Sequence, residues 1–249
     1  MRSVLVLACV LATSGAAAQR SPVDVKAGER ERWAFTAAGK PIGSQTATCR
    51  AVAKRDGRTV SDWTMKVALS LEVGGQPIHL TMDGGFAVTD MVEPVSLSLS
   101  VTGAGPSQTA RFSFPPGKAK LEAVVGGRKQ TKEVARKGDE VLQVNNLITL
   151  LSLTMRSVRP EPGKDTSVPV FATNLMQRVE LTLRCDPKTE TLSIGGTPVE
   201  CVVVDVAPIQ HRCWVRKGTG ELERIEVASQ KLVIARQPLE PEPAPAPAK

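Results

Sequence analysis

Apolar and polar positions alternate with a period of two over most of this chain and break to a helical period once. The clearest alternation runs from Trp63 to Val73. Trp63, Met65, Val67, Leu69, Leu71 and Val73 share one face, and Thr64, Lys66, Ala68, Ser70 and Glu72 share the other. That pattern predicts an antiparallel strand buried on one side. Val95–Val101 repeats it with serines on the second face, Ile78–Met82 and Val179–Cys185 carry it more briefly, and Val199–Val206 reads as a further strand. Asp56-Gly57 is a hairpin signal. Gly-Gly pairs at 74, 84, 126 and 195 read as turns, and the strands, joined by these and other glycine or proline turns, follow one another at roughly ten-residue spacing.

The exception is Gly138–Val158. Val141, Val144, Ile148, Leu151, Met155 and Val158 recur at three- and four-residue steps, and Leu142, Leu150 and Leu153 leave apolar groups on other faces. Asn145, Thr149, Ser152 and Arg156 form the one mainly polar face. Asp139 and Glu140 suit a helix start, and Pro160 and Pro162-Gly163 a stop. A helix this apolar needs cover on more than one side. The expected fold is therefore mainly β: a curled antiparallel up-and-down sheet, a half-barrel or open barrel, with one apolar helix packed on its concave face.

Composition frames this core. Arg2, the apolar run Val4–Leu11 and the small residues through Ala18 read as a secretory signal, too short for the ~20 residues of a membrane span. Residues 1–18 are thus expected to be a signal peptide, 19–29 a lead-in and 30–236 one β-rich domain. The Pro- and Ala-rich 237–249 is expected to be an extended, disordered tail. The implied location is the periplasm or cell envelope of a bacterium, with no transmembrane span in the mature chain. The net charge is +7, but the basic residues are scattered, and with no Tyr, three Trp and five Phe the aromatic-interleaved basic face of a nucleic-acid binder is missing.

Candidate chemistry is sparse. Cys49, Cys185, Cys201 and Cys213 permit disulfides in an exported chain. Cys201 and Cys213 flank the turn at Ala207-Pro208 and are the expected pair, with buried free thiols as the alternative. The only histidines, His79 and His211, have no metal-ligand spacing, and there is no C-x-x-C, no H-E-x-x-H and no G-x-S-x-G. No enzyme activity, cofactor or metal is expected. Asn145-Asn146 stands out within the helical run, and a structural role is expected for it.

From the helical run onward, the segments LLSLTMRSVRPEPGKD, GGTPVECVVVDV and WVRKGTGELERIEV, with GKPIGS in the first half, resemble an uncharacterised family of exported bacterial β-proteins found in periplasmic and envelope chains. The resemblance covers about half the chain and implies a curled antiparallel sheet and an envelope location, with no catalytic residues. The half-barrels of lipoprotein carriers are a looser analogy of fold. Two functional expectations follow. In the first, the protein holds a lipid or other apolar ligand between sheet and helix, in a gap lined by Trp63, Met65, Leu69 and Met155. In the second, it is an envelope interaction or assembly module whose sheet edge or basic surface docks a partner protein.

Overall fold

In the computed structural model, which describes residues 16–73, 75–103, 105–144 and 147–239, the alternating runs form one large sheet around one α-helix. β1 (Ala16–Ala17) precedes a first meander: β2 (Arg30–Ala37), β3 (Lys40–Arg55), β4 (Arg58–Val73), β5 (Gln76–Thr89), β6 (Pro94–Gly103), β7 (Gly105–Ser113), β8 (Lys118–Val125) and β9 (Arg128–Ala135). The short β10 (Val141–Gln143) and α1 (Ile148–Val158) follow. A second meander closes the chain: β11 (Thr166–Ala172), β12 (Gln177–Ile194), β13 (Thr197–Ala207), β14 (His211–Arg216), β15 (Leu222–Val227) and β16 (Leu232–Arg236).

β16 pairs with β2, Ile234 opposite Phe35, so the two meanders share one sheet. Its order is β1-β11-β12-β13-β14-β15-β16-β2-β3-β4-β5-β6-β7-β8-β9, with β10 also on β11. All pairs are antiparallel except those of β1 and β10 with β11. The path does not close, yet its two ends approach each other. The Phe114 ring, just past β7, meets the Phe171 ring of β11 edge-on at 5.7 Å, and Leu142 N–H donates to Val92 O at 3.2 Å. A right-twisted sheet with one apolar face curls over that face. Here it wraps far enough to enclose α1.

The helix is shorter than its periodicity suggests. Val141–Gln143 pairs in parallel with Val170–Ala172 instead of coiling. Short apolar runs satisfy either period, and the residues before this one favour the strand. The Glu140 carboxylate accepts the backbone N–H groups of Lys137 and Gly138 at 2.9 and 2.8 Å, tying off a turn. Asn145-Asn146 lies outside the described residues. At the other end the expected stop is present: Arg159 takes a left-handed conformation, its N–H returns to Met155 O at 2.8 Å, and Pro160 follows.

Two other expectations change. Gly84-Gly85 lies inside β5 rather than in a turn. A Cβ at Gly84 would stand 2.2 Å from Ser98 O, so glycine there lets β6 approach closely. Residues 18–29 are a strap rather than a loose lead-in. Ala18 N–H reaches Ser167 O, Ser21 N–H reaches Ser157 O, Val23 N–H reaches Asp90 O, and the Val23 side chain is buried. The strap therefore joins β11, the end of α1 and the β5–β6 turn.

Candidate functional site

Nearly all of α1 is buried. Ile148 through Met155, and Ser157, have no exposed face. Each fully buried Leu or Met contributes about 1.5–3 kcal/mol of stabilisation, so the helix is a core element on every side. Its polar stripe faces the sheet. Gln45 on β3 donates from Nε2 to Thr149 Oγ1 at 2.9 Å, and its Oε1 accepts the Ile148 N–H at 3.1 Å. Leu147, at the helix start, makes no side-chain cap, and Gln45 takes over that function from across the sheet. Ser152 Oγ donates to Glu31 Oε1 at 2.7 Å, and Trp33 Nε1 to Glu31 Oε2 at 3.3 Å. Burial pushes the Glu31 carboxyl up, and these donors offset only part of that effect. The cluster pins helix to sheet.

The four ligand residues expected from the sequence divide. Trp63 and Met65 on β4 and Met155 on α1 are buried, and Leu69 is half-buried against the same core. Trp63 stacks on Phe86 at 5.9 Å and donates from Nε1 to Ser61 Oγ at 3.1 Å. Trp63, Met65 and Met155 thus fill the space that was expected to be a gap, and only Leu69 opens toward solvent.

The expected Cys201–Cys213 disulfide is also corrected. β13 and β14 register Cys213 against Val204 and Cys201 against Arg216. With side chains alternating in period two, the two cysteines point to opposite faces. Cys213 lies in the main core, while Cys201 packs with Val203 and Trp214 in a separate outer cluster. Cys49, Cys185, Cys201 and Cys213 are all free and buried, and burial raises their thiol pKa values, to about 11 for Cys185 and Cys201. His79 bonds Ser70 at the surface, and among the described residues no cluster of His, Cys, Asp or Glu is arranged to hold a metal.

The inner phase of the sheet continues past the reach of α1, along the outer halves of β4–β9. Leu69 stands opposite Leu80, Leu71 opposite Ile78, and Val67 opposite Met82. The rows run on through Met82–Val101 and Leu99–Ala110, then through Ala110–Ala123 and Gln108–Val125. They finish on β9 at Arg128, Gln130 and Lys132. Leu71 and Val125 are 37% and 36% exposed, and Leu69, Leu80, Met82, Leu99 and Val101 are half-buried. From β4 to β8 the apolar face measures ~19 Å at the usual strand spacing. The opposite, polar-phase side of these strands carries an open hollow of ≈ 740 Å³, whose rim includes Asp83, Arg111, Glu122 and Lys129. Those charges balance in sign and sit comfortably in water, whereas a contiguous apolar face does not.

The alternation of β4 marked this face in the sequence. Arg128, Lys129 and Lys132 are the densest basic knot of the sequence, but that Arg128 and Lys132 end the apolar rows was not legible there, because it depends on register across five strand pairs.

No family model matches the chain, and no curated protein matches it either. Among solved structures it is similar to a Bacteroides fragilis protein with a YmcC-like fold, inferred to be exported. The two share 10% identity at a TM-score of 0.36, over 89% of this chain and all of that one.

Proposed function

We propose that this is a non-enzymatic exported protein of the bacterial envelope that holds an anionic amphiphile, such as a fatty acid or phospholipid chain, on the apolar face of β4–β9. The basic, apolar and small-residue sections of the N-terminus support export. The observation that supports the ligand is the face itself: half-exposed Leu, Ile, Met and Val side chains in register, ending on Arg128 and Lys132 at the sheet edge. Apolar rows suit an acyl chain and the basic end suits its head group. This moves the ligand from the packed sheet–helix interior to the uncovered part of the same sheet face.

Saturable uptake of a fluorescent fatty acid tests the reading. Leu80→Lys, on a half-buried position away from the core, is expected to abolish uptake with the fold intact. Wild-type protein that takes up no acyl probe removes the reading. In its place would stand the assembly module, for which the basic, exposed edge strand β9 is the docking element.

A further inference from the structure

The hairpins β4–β5, β6–β7 and β8–β9 turn at the same end of the sheet, and their tips touch. A Cβ at Gly103, in the β6–β7 tip, would stand 1.9 Å from His79 O on β5, and one at Gly126, in the β8–β9 tip, 3.7 Å from Pro106 Cβ. The first tip reaches furthest. β3 pairs with β4 only as far as Leu69, and β6 with β5 only as far as Thr81, so among the described residues Ser70–Leu80 is a ribbon paired only with itself. Its inner phase is apolar, with Leu71 opposite Ile78, and both Leu71 and Val125 of the β8–β9 tip are exposed. Charge on that phase has one sign. The inner rows of β4–β9, from Trp63–Phe86 out to Leu71–Ile78, hold no Asp or Glu, and their only charged members are Arg128 and Lys132. Both are exposed, and neither makes an ion pair with a described residue. On the outer phase Glu133 is held by Lys118 and Lys120, and Lys66, Glu72, Asp83, Arg111, Glu122 and Lys129 balance in sign. Exposed apolar side chains beside unpaired cations suit the boundary of a membrane, where the first enter the head-group layer and the second meet phosphates. The bare edges of the ribbon confine it to that layer, since hydrocarbon would leave their N–H and C=O groups without partners.

We propose that these three tips dock on an anionic lipid surface, Leu71 and Val125 seated among the head groups and Arg128 and Lys132 against their phosphates. The apolar rows of β4–β9 then open onto a source of amphiphile, a step that rests on the function proposed above, whereas docking does not.

Cosedimentation with phosphatidylcholine vesicles, with and without phosphatidylglycerol, tests docking for the full chain and for one beginning at Gln19, in which the apolar run Val4–Leu11 takes no part. Saturable binding of both chains to the phosphatidylglycerol vesicles is expected, about tenfold or more tighter than to phosphatidylcholine alone. Arg128→Ala and Lys132→Ala should each weaken it about fivefold, and Leu71→Ser should weaken it too. Lys54→Ala, exposed at the opposite end of β3, should leave it unchanged. Uptake of a fluorescent fatty acid without vesicles is read in parallel, so docking can fail with uptake intact, or uptake with docking intact. No binding to either vesicle overturns the proposal and leaves the tips to an acidic protein partner. Equal binding to both vesicles, an equal loss in Lys54→Ala, or binding by the full chain alone when both chains melt alike overturns it as well.

Discussion

Gln45 shows how one side chain sets the inside of this protein. It supplies the acceptor that starts α1 and the donor that satisfies Thr149. Thr149→Ala, which a solvent-facing polar stripe would tolerate, is therefore expected to cost about 1–3 kcal/mol by stranding a buried amide. Gln45→Ala should cost at least as much. Denaturant melts check this, and a Thr149→Ala protein within ~0.5 kcal/mol of wild type would turn the stripe back toward water. Glu31 adds a pH dependence. Its folded pKa is raised above the ordinary carboxyl value of 4.5, chiefly by burial. Its stabilising contribution is then complete below 4.5 and is lost as pH rises through the folded value. Glu31→Gln should flatten the fall in stability above pH 4.5 relative to wild type. Parallel stability–pH curves for the two proteins would contradict the assignment.

At the scale of elements, α1 is held on every side, and the turn before β15 shows how closely. Gly220 has φ +76°, and a Cβ there would stand 2.6 Å from Met155 O and 2.8 Å from Arg156 Cα. Gly218, two residues earlier, has φ +83° with nothing within 4 Å. Gly218→Ala is expected to cost about 1–2 kcal/mol for the left-handed backbone alone. Gly220→Ala pays that strain and also displaces the helix end, so it should be clearly worse. Leu151→Ala, deep in α1, should cost ~2–5 kcal/mol. Thermal melts of the three variants give the order, and equal losses for the two glycines would mean that the helix end has room to move.

At the scale of the whole molecule, the strap adds ties between parts of the sheet and the helix. Residues 18–29 bond β11, the end of α1 and the β5–β6 turn. Arg20 reaches Met91 O at 2.7 Å and Asp139 O at 2.8 Å, and Arg156 reaches Asp24 O at 2.7 Å and pairs with Glu29. A chain beginning at Gln19, as expected from cleavage after Ala18, keeps nearly all of these. One beginning at Arg30 loses them and leaves the buried site of Val23 empty, so its melting midpoint should fall by ~5–10 °C. Equal midpoints would show that the curled sheet holds its shape without the strap.

The sequence by itself determined what period two and period 3.6 can report. The half-buried strand at Trp63–Val73, the sheet-dominated fold, the enclosed helix and its stop before Pro160 all rest on local side-chain periodicity and on the backbone limits of proline. Turn glycines such as Gly126-Gly127 were legible for the same reason, whereas Gly84-Gly85, chosen for a close strand crossing, looked no different from a turn. Tertiary structure decided what depends on partners remote in sequence. Whether Val141–Gln143 coils or extends depended on β11, and whether Thr149 and Ser152 face water depended on Gln45 and Glu31, more than a hundred residues away. Register alone put Cys201 and Cys213 on opposite faces, and the length of α1 against that of β4 and β5 left the apolar rows beyond Val67 uncovered. Periodicity gives each element a buried face, but only the assembled sheet determines what covers it.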